Sequence, residues 1–86
     1  MKTFKEIREQ YPTEFLLLFD CEEQQSGPME IEVLGAKEVQ ASESGDEMWA
    51  RFQELQRQGV KVHFCTPQYT DRFQIKQIPM LSHITK

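Results

Sequence analysis

Phe15-Leu16-Leu17-Leu18-Phe19 is the one uninterrupted run of five large apolar residues in the chain, closed by Glu14 and Asp20. A run this short between polar breakers suits a strand buried on both faces, since a helix needs more length. The rest of the sequence reads as the material that covers this strand. Upstream, Thr3-x-x-Glu6 is a capping box, in which the hydroxyl takes an orphan backbone N–H and the glutamate reaches back. Phe4, Ile7 and Tyr11 then share one helix face at three- and four-residue spacing. Pro12 ends the helix and biases Tyr11 away from helical geometry. A helix this short cannot stand alone and must lean on the sheet.

Downstream, Cys21 to Pro28 reads as a polar hairpin loop. Met29-Glu30-Ile31-Glu32-Val33-Leu34 alternates apolar with acidic residues, as a half-buried strand does. Gly35 interrupts it, and Lys37 to Ala41 resumes a weaker alternation. A glycine there marks a bulge or tight turn, which leaves one long bent strand or two short ones open. Ser44-Gly45-Asp46-Glu47 is a second capping box, with acids in the first turn to suit the helix dipole. Met48, Trp49, Phe52 and Leu55 form the apolar stripe of this helix. Arg51, Gln53, Glu54, Arg57 and Gln58 form its wet side, and Gly59 suits its C-cap. Val60 to Thr66 alternates strictly, Pro67 to Asp71 is a turn, and Arg72 to Lys76 alternates again. Ile78-Pro79-Met80-Leu81 continues extended.

These elements predict an α+β fold in the order α-β-β-α-β-β. Hairpin pairing of the first two strands and of the last two, with a helix-containing crossover between them, gives a four-stranded, mainly antiparallel sheet. Its order is 2-1-4-5, with Phe15–Phe19 in the middle. Both helices then pack on one face, over Phe15, Leu17 and Phe19. Residues 1–81 make one domain and residues 82–86 a flexible tail.

A chain of 86 residues buries only about 60–65% of the surface its unfolded form exposes, so the core is thin. Six Phe, two Tyr and one Trp nevertheless argue against disorder. No stretch reaches the length of a transmembrane helix, and the N-terminus has no apolar segment of a secretory signal. Two cysteines, Cys21 and Cys65, are too few for a disulfide scaffold. The expectation is a cytoplasmic protein with no membrane partner. The net charge of −4 hides an asymmetry: residues 1–47 hold twelve Asp/Glu against four Lys/Arg, and residues 48–86 hold two against six. The halves can neutralise each other within one sheet, or they can support head-to-tail association. Without a dense basic stripe in this acidic chain, nucleic acid is not an expected partner.

The opposite face of the central strand carries Leu16 and Leu18. With both helices on one side, these leucines need another cover, and a second copy of the chain supplies it. The competing reading folds one helix, or the Ile78–Leu81 stretch, across that face. Phe73 and Ile75, extended by Met80 and Leu81, form a second candidate interface at the sheet edge, open to strand addition unless Pro79 and the flanking charges protect it. His63 and Cys65 point the same way from one strand and, with Cys21, make the alternative ligand site. A structural zinc site wants four ligands, and nothing places Cys21 nearby, so no metal or cofactor is expected. No sharp nucleophile turn marks Cys65 or any serine as catalytic.

Phe4…Tyr11-Pro12…Phe15-Leu16-Leu17, then Glu38-Val39-Gln40-Ala41-Ser42 before the Asp46-Glu47-Met48 helix, then Val62-His63-Phe64, resembles small uncharacterised bacterial domains of unknown function. Those domains have a Tyr-Pro-Gly-Glu-Trp-Val type strand entry and a Val-x-Ala-x-Ser segment ahead of a helix. Here Thr13 stands for the glycine and Phe15 for the tryptophan. The resemblance implies a bacterial cytoplasmic protein, and the glutamine-rich surface would suit a cyanobacterial source. It brings no catalytic residues. The resulting expectation is a small non-enzymatic module that binds a protein partner or forms a homodimer through a sheet face or edge. The alternative is a minor enzyme or ligand-binding domain centred on His63 and Cys65.

Overall fold

The computed structural model of the protein describes residues 1–76. The chain is α+β, with two helices and seven strands in antiparallel sheets. In chain order these are β1 (Lys2–Thr3), α1 (Phe4–Gln10), β2 (Phe15–Phe19), β3 (Glu22–Gly27), β4 (Glu30–Ala36), β5 (Glu38–Ser42), α2 (Gly45–Arg57), β6 (Val62–Cys65) and β7 (Phe73–Lys76). Among the described residues, no helix is long and apolar enough to cross a membrane.

Residues 15–42 form one long hairpin that is bent in the middle. Its lower half pairs β2 with β5, from Phe15 opposite Ser42 to Phe19 opposite Glu38. Its upper half pairs β3 with β4, closing at a turn of Pro28 and Met29. Asp20 and Lys37 mark the bend. Asp20 has φ 50, a left-handed conformation that aspartate tolerates better than most residues. The Lys37 N–H donates to the Phe19 carbonyl at 3.1 Å, so pairing continues around the corner. The two halves belong to different sheets. β6 pairs with β2 in the lower one, giving β5-β2-β6, while β1 and β7 both pair with β4 in the upper one.

This topology corrects the expected strand order. Phe15–Phe19 is central, between residues 38–42 and 62–65, as the apolar run requires. The strand at 73–76, however, pairs with β4 rather than with β6. The segment expected as a polar loop is strand β3, held by backbone bonds to β4 at the sheet edge. An edge strand with water on both sides needs no apolar alternation, so its sequence carries no strand signal. The break between β4 and β5 falls at Lys37, not at Gly35. Gly35 stays in β4, where the register against β3 shifts between Glu22 and Glu23. A Cβ at Gly35 would meet the Lys2 carbonyl oxygen at 2.3 Å, so its small size is what admits β1 alongside.

The helices lie on opposite faces of β2. Met48 of α2, with Phe52 and Leu55 packed beside it, covers Leu17 and Val62. Phe4 and Ile7 of α1 join Val33, Ala36 and Phe73 of the upper sheet over Leu16 and Leu18. Leu16, Leu17 and Leu18 are all fully buried. Each such burial stabilises the fold by about 1.5–3 kcal/mol. The expected open face is therefore closed within the single chain, by the bend that folds one sheet over the other.

The first helix start forms its full capping box, and the second forms half of the one expected. Thr3 Oγ1 accepts from the Glu6 N–H, and the Glu6 carboxylate accepts from the Thr3 N–H, completing the first capping box. Those bonds hold the Glu6 carboxyl below the usual carboxylate range. At α2, Ser44 Oγ accepts from the Glu47 N–H, which is one of the two expected bonds. Gln58 caps its C-terminus and Gly59 follows with φ +80, the left-handed exit that glycine permits.

Candidate functional site

An open groove of about 1070 Å³ runs along β6. Val62, His63 and Phe64 of β6 line it, with Trp49, Phe52 and Gln56 from α2 and Phe73 to Lys76 from β7. Thr66 and Tyr69, on the connection between β6 and β7, line it as well. Among the described residues β6 pairs only with β2, and its other edge has no strand partner there. Thr66 Oγ1 is buried and has no hydrogen-bond partner among the described residues.

The walls differ in character. On the α2 side the lining is aromatic. Trp49 meets Phe64 edge-on at 5.2 Å between ring centroids and Phe52 at 5.3 Å. It remains 47% exposed, against 4% for its neighbour Met48. On the β7 side, Phe73 stacks on Phe4 at 5.9 Å and meets Tyr69 at 4.9 Å. Charge in the groove is mixed. Glu23 of β3 bonds the His63 ring, and Glu30 sits opposite Lys76 in the ladder. Arg72 and Glu32 pair outside the groove.

Behind the groove lies a buried cation, Arg8, only 4% exposed. Its Nε donates to the Tyr69 carbonyl at 2.8 Å. Nη1 donates to the carbonyls of Tyr11 and Glu14, both at 2.9 Å. Nη2 donates to the Thr66 carbonyl at 2.9 Å and faces Cys65 Sγ at 3.4 Å. All five N–H donors of the guanidinium are thus directed at acceptors. No carboxylate pairs with it among the described residues. Carbonyl dipoles replace the counter-ion, and the side chain ties α1 and the residues before β2 to the 66–72 connection. That connection leads into β7, so Arg8 holds one wall of the groove in place.

The structure separates the residues singled out in the sequence. Leu16 and Leu18 are core residues and offer no interface. Phe73 is also in the core, 4% exposed, while Ile75 is half-buried and lines the groove. Met80 and Leu81 lie outside the described residues. His63 reaches the groove, but Cys65 is fully buried against Arg8. Burial pushes the Cys65 thiol up to about 11, although Arg8 pulls the other way. Cys21 is half-buried, and burial, with Glu23 and Asp20 nearby, pushes its thiol up to about 12. A thiol held this high carries almost no thiolate at neutral pH and is a poor nucleophile or metal ligand. No three His, Cys, Asp or Glu side chains among the described residues are placed to share a metal ion.

Trp49, expected on the apolar stripe of α2, is instead nearly half exposed, and Arg8 was not among the expected site residues. Trp49 follows Met48 directly, and adjacent helical residues point about 100° apart, so the two cannot share one buried face. Arg8 stands four residues after Phe4 and three before Tyr11, on the apolar stripe itself. A cation there had to be buried with its own acceptors.

Fold and groove together define a small α+β domain with an open edge strand beside an aromatic helix wall. Comparison with protein-family models, with curated proteins and with solved structures finds no match to this chain.

Proposed function

We propose that this protein is a small non-enzymatic module of the cytoplasm that binds an extended segment of a protein partner in the β6 groove. The observation that carries this reading is Trp49, nearly half exposed beside Phe52 and Phe64. A large aromatic side chain left open at the rim of a groove is a typical anchor for a protein partner. The β6 edge, which has no strand partner among the described residues, favours polypeptide over a small molecule, because only a backbone offers donors and acceptors in matching alternation. The buried Cys65 thiol speaks against nucleophilic chemistry at this place. Two unpaired cysteines suit a reducing compartment.

The test is comparative capture from cell extract by wild type, Trp49→Ala and the distant control Lys37→Ala, followed by titration with the purified captured protein. The reading expects a partner held by wild type and Lys37→Ala, with affinity lower by about tenfold or more for Trp49→Ala. Equal affinity for Trp49→Ala and wild type would overturn it.

A further inference from the structure

β6 sends its side chains to two different walls. Val62 and Phe64 join Leu17 and Met48 in the cluster under α2. Cys65 belongs to the other cluster, between α1 and the upper sheet. His63, on the same side as Cys65, meets Phe73 edge-on at 6.4 Å between ring centroids and bonds Glu23. Both walls continue past β6 into the groove. Trp49 and Phe52 extend the first, around Phe64. Phe73 and Ile75 extend the second; two residues apart on β7, they share the face that packs toward Leu16 and Leu18.

The groove therefore differs from an ordinary sheet edge. A strand added at an ordinary edge has one covered face and one wet face, and its residues alternate accordingly. A strand laid beside β6 continues the alternation of β6. Its residues opposite Val62 and Phe64 project toward Trp49 and Phe52. Those opposite His63 and Cys65 project toward Phe73 and Ile75. An alternating segment would set its polar half against one of these walls, where a polar side chain loses water without gaining a partner.

The charges of the lining point the same way. Glu23 is taken up by His63, and Glu30 stands opposite Lys76 in the ladder. Lys61, just before β6, is exposed and forms no ion pair among the described residues. Each carboxylate of the groove thus has a basic neighbour, while the Lys61 end keeps a cation for an occupant to complement.

We propose that the β6 groove selects an extended protein segment with large apolar side chains at successive positions, in a run about the length of β6, closed by an acid at the Lys61 end. This names the chemistry of the partner and rests on the groove being the partner site. Burial on both faces is what makes the central strand of this fold uniformly apolar. The same demand falls on a strand that enters between Trp49 and Ile75.

The probes are blocked peptides added to the full chain. The first is acetyl-Glu-Ser-Ile-Leu-Val-Leu-Ser-Glu-amide. In two others the middle reads Ile-Thr-Val-Thr or Thr-Leu-Thr-Leu, which keeps strand propensity but leaves one apolar face. A fourth has lysine for both glutamates of the first. Amide shifts of residues 62–66 are titrated in wild type, Trp49→Ala and Ile75→Ala, with thermal unfolding as the check on each variant's fold. The proposal expects the continuous peptide to bind wild type about tenfold or more tightly than either alternating one. It expects Trp49→Ala and Ile75→Ala each to weaken the continuous peptide by about three- to tenfold, and lysine ends to weaken it by about twofold or more. An alternating peptide, free to slip by one residue, should respond to only one of the two substitutions. Alternating peptides that bind wild type as tightly as the continuous one would overturn the proposal and leave the groove reading intact; this comparison needs no variant. Equal affinity with lysine ends would overturn the acid end. Peptides that leave the 62–66 amides unmoved would overturn the proposal too, with the groove reading still decided by the Trp49→Ala capture. Peptide-free 62–66 signals that move with protein concentration would assign the groove to a second copy of the chain, again against the proposal.

Discussion

Replacing Arg8 is the sharpest test of how this small domain is held together. The guanidinium donates to four carbonyls, those of Tyr11, Glu14, Thr66 and Tyr69, and faces Cys65 Sγ. Hydrogen bonds to a charged group contribute about 1.5–3 kcal/mol each, and desolvating the cation takes back several kcal/mol. The acceptors decide the outcome. With Arg8→Met the apolar stem still fills space, but four carbonyls stay behind without their donor. A buried ion pair exchanged for apolar groups on both sides can be neutral; here only one side can be exchanged. The expected loss is about 3–5 kcal/mol. Arg8→Lys keeps the charge but brings three donors for five contacts, and should cost about 2–4 kcal/mol. A domain of this length has about 4–13 kcal/mol of stability in all, so Arg8→Met should stand close to unfolding. Urea denaturation followed by Trp49 fluorescence and by far-ultraviolet circular dichroism measures both variants. Arg51→Met, at an exposed position of α2, should stay within about 0.5 kcal/mol of wild type. If Arg8→Lys matches wild type to within about 0.5 kcal/mol, the carbonyl cage is not a clamp and the reasoning fails.

Two further outcomes follow from the core. Folding raises the Cys65 thiol from near 9 to about 11, so above pH 9 the folded state retains a proton that the unfolded chain has released. Stability should then be complete below pH 9 and fall by about 2–3 kcal/mol as the pH approaches 11. Cys65→Ala should lose that part of the decline and keep the part due to Cys21; parallel pH–stability curves for the two proteins would refute the assignment. Leu16→Asp should abolish cooperative unfolding, because it sets a carboxylate in a fully buried position. Lys37→Asp, at the exposed bend, should cost no more than about 1 kcal/mol, and a folded, dimer-deficient Leu16→Asp protein would restore the leucine face as an interface.

Much of the local structure was legible in single residues. The Thr3 and Ser44 side chains start the two helices, and Pro12 and Gly59 stop them near the places where their backbone chemistry requires it. The five-residue apolar run is central because a strand without polar positions has no face to give to water. The Glu30–Val33 and Val62–Cys65 alternations are strands for the complementary reason. These are short-range consequences of hydrogen-bonding demand and hydrophobic period, and they need no knowledge of the neighbours.

What covers the second face of the central strand was not a local matter. It depends on the bend at Asp20 and Lys37, which turns one hairpin into two facing sheets and brings Val33 and Phe73 over Leu16 and Leu18. A polar edge strand such as β3 has no period to read, because its partner is a backbone and backbones are the same everywhere. The groove has a similar origin. Trp49, Phe64 and Ile75 come together only because β6 and β7 join different sheets and leave their facing edges apart. The sequence by itself determined the two helices, the apolar and alternating strands, and which residues seek burial. The tertiary structure decided which of those residues found cover, and Leu16–Leu18 inside and Trp49 outside are the result.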